Sequence, residues 1–174
     1  MAKVSLTKLG LKVNQDIEII NFNEQMIEVK QYLPVNNKLE LISNVINASA
    51  DDNNFANPIK INVFTMLEIV YAYTNINFTD KQREDSVKLY DMLISSGLMK
   101  KIIDTIPAEE YERVVNGVKE SADAVYKYRN SVMGVFELIT ANYDAMNLDA
   151  NEIYKKLADS DNMDFIKQVL TKLG

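Results

Sequence analysis

A chain of 174 residues, 47% apolar and 25% charged, has the composition of one folded domain with its own core, not of a disordered segment. It contains no cysteine and no histidine, which excludes disulfides, thiolate chemistry, the commonest general base and the commonest transition-metal ligand. The net charge of −6 is spread without a basic stripe, and an acidic chain repels phosphate backbones, so no nucleic-acid partner is expected.

Residues Met1 to Ser5 hold no apolar signal core, and no later run approaches the roughly 18 apolar residues of a membrane span. A reducing cytoplasm and no membrane partner are the expectation. Val4 to Val13 carries Leu6, Leu9 and Leu11 without a clear cap and reads as an arm or short strand. Ile17–Phe22 and Met26–Leu33 are rich in β-formers and flank Asn21, Asn23 and Glu24 as turn material. They predict a β-hairpin with Ile27, Val29 and Leu33 on one face and a wet face opposite. Pro34 stops the second strand, because it has no N–H to give to a ladder.

Beyond Pro34 the period changes from 2 to 3.6. Asn36 or Asn37 is placed to cap a helix in which Leu39, Ile42, Val45 and Ile46 recur at helical steps. Ala50–Pro58 reads as a polar loop, and a helix is expected from about Asn62 to Thr74. Thr79 and Gln82 form a capping box that opens a helix to Ser96, with Val87, Tyr90, Leu93 and Ile94 inward and Gly97 as the closing residue. Leu98 to Ile106 gives a further short helix.

Pro107 suits a first helical turn, and Glu109, Glu110 and Glu112 sit near its positive end, where they are expected to face water. The segment then shows the most regular pattern of the chain: Tyr111, Val114, Val118, Ala122, Val125, Arg129, Val132, Phe136, Ile139 and Tyr143 follow at steps of three and four. Asn116-Gly117 invites a kink or restart. As a single straight helix, Pro107–Asp144 would span ~57 Å against a globule ~40 Å across, and so would overhang it. Either a bend near Gly117 or Gly134 or a projecting end packed on another subunit would accommodate so long a helix. Two short helices are expected after Leu148, opened by the pair Asp149 and Glu152 and broken at Asp159–Asp161.

No catalytic constellation emerges. The glutamates at 109, 110 and 112 suit dipole partners better than a general-acid pair. Asp159–Asp164 lacks the glycine a calcium loop needs at its sixth position. The five glycines make no phosphate-binding loop. The expectation is therefore a non-enzymatic protein without cofactor or metal, working through its surfaces. Two surfaces are candidates: the N-terminal arm with its hairpin, including Ile27 and Val29, which could add a strand to a neighbour, and Tyr126, Tyr128, Arg129, Val132 and Phe136 on the long helix, where aromatic residues widen the apolar arc. Arg129, mid-stripe, is expected to need an ion-pair partner.

The segments Val29–Pro34, Lys38–Ile46, Thr74–Thr79, Lys88–Asp91, Lys156–Asp159 and Val169–Gly174 resemble a group of small proteins encoded by tailed bacteriophages and prophages of low-GC Gram-positive bacteria. The likeness extends over most of the chain, and the abundance of asparagine and isoleucine fits AT-rich codons. The group brings no catalytic signature to transfer.

Its place among phage structural genes implies a virion component or assembly factor of the head–tail or tail module. Such a protein would contact phage structural proteins or itself, as a homo-oligomer, in the host bacterial cytoplasm and then in the virion. An alternative is a phage-encoded acidic inhibitor or regulator of a host protein. The fold expected is mainly α: an N-terminal arm and β-hairpin over residues 1–34, and a helical domain over 35–174 that forms one compact unit with it.

Overall fold

The structure, a computed structural model, describes residues 3–50, 57–129, 131, 133 and 134. Residues 3–16 form an exposed arm with a single 3₁₀ turn, Leu6–Leu9, that ends on Gly10 in the left-handed conformation. Strands β1 (Ile17–Phe22) and β2 (Gln25–Lys30) follow as an antiparallel hairpin. Phe22 pairs with Gln25, which leaves Asn23 and Glu24 as a two-residue turn. Both turn residues have positive φ, 47° and 64°, the requirement of the primed turn whose twist matches its strands. Asn21 thus belongs to β1 rather than to the turn, and β2 ends at Lys30, before Pro34.

Six α-helices complete the described fold, which is mainly α. Helix α1 (Val35–Ser49) starts directly after Pro34, and neither Asn36 nor Asn37 caps it. Its buried side is Leu41, Val45 and Ser49, with Ile42 half-buried. Leu39, expected inward, lies two residues before Leu41 and so well off that stripe, and is exposed.

Helix α2 (Pro58–Tyr73) begins four residues earlier than the pattern suggested. Pro58 belongs to its first turn, and the Asn57 side-chain oxygen accepts the Ile59 and Lys60 N–H groups at 2.9 and 3.3 Å. From Val63 to Thr74 no residue is fully exposed. A helix apolar on every side belongs at the centre of a fold, and α2 packs against α1, α4, α5 and β2.

The Thr79–Gln82 capping box forms in both directions. The helix it opens is only one turn, α3 (Asp80–Glu84), because Asp85 leaves helical geometry at φ −93°, ψ 59°. The chain restarts as α4 (Ser86–Ser95), whose first turn is capped by the Asp85 carboxylate. Leu89 and Leu93 point inward, whereas Val87 and Ile94, expected there, are exposed. Gly97 closes α4 with φ 76°. Helix α5 (Leu98–Thr105) then buries Met99 and Ile102.

Helix α6 (Ala108–Arg129) runs unbroken through Asn116-Gly117. Gly117 permits a close approach instead of a kink: a Cβ there would lie 2.9 Å from the Ile42 side chain of α1. At 22 residues α6 spans ~33 Å, within the width of the globule. Ser131 is a bend whose N–H reaches the Tyr128 carbonyl at 2.9 Å, so the helix is interrupted three residues before Gly134, one of the two glycines near which a bend was the alternative to an overhang. The rest of that stripe and the short helices expected after Leu148 lie outside the described residues.

One core unites these elements. Ile27, Val29 and Leu33 from the hairpin side meet Leu41 and Val45 of α1, Leu67, Ile69, Val70 and Tyr73 of α2, Leu89 and Leu93 of α4, Met99 and Ile102 of α5, and Val114 and Val118 of α6. The hairpin is therefore built into the helical body. Its outer β2 edge is closed by the end of α2: Val29 bridges Thr74, the Glu28 N–H donates to Asn75 at 3.0 Å, and the Lys30 ammonium donates to the Ala72 carbonyl at 2.9 Å.

Candidate interaction surfaces

Burial reassigns the residues singled out on the hairpin. Ile27 and Val29, expected on an interaction surface, are 7% and 0% exposed and belong to the core. Their face of the hairpin is the one that α2 covers, since apolar strand residues of period 2 turn toward the helices that can bury them.

The face available to a partner is the opposite one. There Ile17 stands across from Lys30, Ile19 across from Glu28, and Met26 across from Asn21. Ile17, Ile19 and Met26 are 52%, 55% and 69% exposed. Period-2 alternation in β1 identifies two faces, and with Ile17, Ile19, Ile20 and Phe22 the strand is apolar on both.

The β1 edge is also open. The Gln31 N–H donates to the Asp16 carbonyl at 2.9 Å, which makes 16 and 31 a hydrogen-bonded pair. The antiparallel alternation then directs the backbone groups of Ile17, Ile19 and Asn21 away from β2. Among the described residues no strand pairs with this edge. The Asn21 carbonyl is held by the Lys101 ammonium of α5 at 3.1 Å, which also lies 5.8 Å from the Phe22 ring centroid. The groups of Ile17 and Ile19 lie beyond that clasp.

The arm leads into this edge. Val4, Leu6, Leu9, Leu11 and Val13 are between 55% and 71% exposed, and every residue from 3 to 16 is on the surface. An apolar arm beside an apolar, open-edged strand is an arrangement that monomeric proteins usually avoid.

On α6, Tyr126 and Tyr128 are both about half exposed, whereas Val125, just before them in the chain, is partly buried. They lie toward the end of the helix, beyond the last fully buried residue of its stripe, Ala122. Arg129 is the last described residue of α6, and its side chain, like Val132 and Phe136, lies outside what the structure describes. Between α2 and α6 runs a mostly apolar groove of about 320 Å³, lined by Ile61, Thr65, Met66, Val118 and Ala122 with Lys119 and Asp123.

The polar group the sequence misplaced is Glu110. Expected in water, it is 4% exposed. One carboxylate oxygen accepts the Leu33 N–H and the Tyr73 hydroxyl, both at 2.8 Å; the other accepts the Lys38 ammonium at 2.7 Å. Lys38 also lies 4.3 Å from the Tyr32 ring centroid. Burial alone would push the Glu110 carboxyl up, but the bonds from Lys38, Leu33 and Tyr73 outweigh it and hold it below the ordinary glutamate range. Burial and then the neighbouring carboxylate push the Tyr73 hydroxyl well up.

This cluster ties the β2–α1 connection, α1, α2 and α6 together. Its oxygens are committed to those ties, so it reads as a structural lock and offers no reacting centre. The signal was in the sequence: stepping back by four from Ala122, Val118 and Val114 arrives at Glu110, so the stripe itself places the carboxylate inward.

Among the described residues no group of three or more acidic side chains is placed to hold a metal ion. No described helix is long and apolar enough to cross a membrane. Comparison with protein-family models, with curated proteins and with solved structures finds no match to this chain.

Proposed function

We propose that this chain is a non-enzymatic component of a tailed-phage particle, or a factor in its assembly, that acts in the head–tail or tail module through protein–protein contacts. The observation that carries the contact role is the set of exposed apolar side chains along arm and hairpin, Leu9, Leu11, Val13, Ile17 and Ile19, next in the chain to a strand edge that no described strand pairs with. Such an edge is suited to strand addition by a neighbour, in which backbone bonds supply affinity and alternate side chains supply specificity. The resemblance of Val29–Pro34, Lys38–Ile46 and the other quoted segments to phage proteins supplies the setting: the host bacterial cytoplasm during assembly, then the virion.

Mass spectrometry of purified particles tests this reading. A virion part is present in a fixed multiple-copy ratio to the major structural proteins. Presence in infected-cell lysate but absence from particles leaves the assembly factor. If deleting the gene leaves particle yield and morphology unchanged, the proposal fails. Salt-sensitive capture of a single host protein would then favour the acidic inhibitor.

A further inference from the structure

We propose that the arm of one copy pairs antiparallel with the open β1 edge of a second copy, adding a third strand to its hairpin. The inference rests on the reading that this chain works by protein contact, and is independent of a phage origin.

Three observations converge on a second copy as the occupant. The first is the open edge itself, which presents the backbone groups of Ile17 and Ile19 beside their exposed side chains. The second is the pattern of the arm. Leu9, Leu11 and Val13 alternate with Gly10 and Lys12, the period of a strand with one apolar face. The third is charge. Residues 1–15 carry Lys3, Lys8 and Lys12 and no acid, a net +3, whereas the hairpin from Asp16 to Lys30 carries Asp16, Glu18, Glu24 and Glu28 against Lys30 alone, a net −3.

A register satisfies all three at once. With Leu11 set against Ile19, Val13 falls against Ile17 and Lys12 against Glu18. The apolar pairs then share the outer face with Met26, and the lysine–glutamate pair lies on the other. Glu18 is exposed and available for it. In the single chain the arm leaves this edge uncovered: Leu6–Leu9 is a 3₁₀ turn, Gly10 is left-handed, and Ile17 and Ile19 stay exposed. Pairing requires Gly10 to leave that conformation, a change glycine makes at little steric cost.

The test is sedimentation velocity of the full-length protein over a wide concentration range. Reversible self-association is expected, weaker at high salt because it joins opposite charges. Lys12→Glu and Glu18→Lys should each weaken it by about fivefold, since each sets like charges across the strands, and the double variant should restore it.

Ile19→Pro should abolish it. The Ile19 N–H faces outward, so proline there blocks the edge without costing a bond to β2. Far-UV circular dichroism confirms that each variant keeps its helices. A monomer at every concentration overturns the proposal, as does association that survives Ile19→Pro or a charge exchange that fails to rescue. Concentration-independent protection of the Ile17 and Ile19 amides in hydrogen exchange also overturns it, because the arm then covers its own edge. Particle content tests the phage reading separately, so either can fail alone.

Discussion

Glu110 is the residue on which most of the described architecture converges, and its energetics have a definite sign. A carboxylate that accepts three hydrogen bonds, one from a half-buried lysine, is stabilised in its charged form when folded. Its folded pKa lies below its unfolded one, so the unfolded state binds more protons in acid. The stability it contributes is present above the ordinary glutamate pKa of about 4.3 and is lost as pH falls through its lowered folded value.

Glu68 works the other way. Half-buried beside Asn44, it is raised first by burial, against the opposing Asn44 hydrogen bond and the Arg83 charge. Its contribution is present below the ordinary value and lost as pH rises through the raised one. Glu110→Gln keeps an acceptor for Leu33 and Tyr73 but removes the charge facing Lys38, and should cost about 2 kcal/mol at neutral pH. Glu110→Leu leaves a lysine, a hydroxyl and an N–H unpaired and should cost about 4 kcal/mol. Urea unfolding over a pH series checks both. The gap between wild type and Glu110→Gln should narrow as pH falls below about 4; a constant gap would show that the carboxylate is not held in its charged form.

At the scale of elements, the hairpin turn is the clearest point of strain. Asn23 tolerates positive φ well, but Glu24 at 64° has a Cβ that the left-handed region disfavours by about 1 kcal/mol. Glu24→Gly produces the Asn-Gly pair that primed turns prefer. It should raise the unfolding free energy by about 0.5 kcal/mol once the added freedom of the unfolded chain is counted. Glu24→Val should lower it by about 1 kcal/mol. Thermal melts of the two variants against wild type read the difference, and equal melting temperatures would mean the turn relaxes without cost.

The elements also show what a sequence carries legibly. The two strands, the Thr79–Gln82 box, the Gly97 closure and the Val114–Val118–Ala122 stripe are local signals, written within one or two turns, and each is present, although β2 stops at Lys30 instead of Leu33 and the box and Gly97 bound two helices instead of one. Legibility fails where tertiary packing chooses between equal local options. Asp85 interrupts a pattern that reads as one helix, and within α4 packing selects the Leu89–Leu93 face over Val87 and Ile94. Alternation in β2 separates the face of Ile27, Val29 and Leu33 from a wet one, but β1 is apolar on both sides, so its own periodicity does not say that Ile17 and Ile19 are left to solvent. Glu110 was misplaced for a related reason: a charge in a first helical turn has a satisfactory explanation in the dipole, and only its partners from three other segments reveal the stronger one.

For the molecule as a whole, the division between arm and body predicts how stability and association separate. No residue from 3 to 16 is buried, and the cluster of buried core residues begins only at Ile27, with half-buried Ile20 and Phe22 packed against it. The arm thus removes almost no apolar area from water on folding of the single chain, and apolar area is what most of the folding free energy rests on. Deleting residues 3–13 should therefore leave the unfolding free energy in dilute solution within about 0.5 kcal/mol of wild type, as for surface changes that touch no packed group. The same deletion takes away Lys3, Lys8 and Lys12 and moves the net charge from −6 to −9. It deprives the acidic hairpin of its basic complement and adds repulsion between copies, which opposes association at low salt. Urea unfolding of the deleted chain at low and high protein concentration distinguishes the two effects. If the arm serves only contacts between molecules, the midpoint of the deleted chain is independent of concentration and equals that of dilute wild type, while the wild-type midpoint rises with concentration as assembly stabilises the fold. A dilute midpoint that drops on deletion would place the arm in the stability of its own chain, and its exposed leucines would then need a partner within the same molecule.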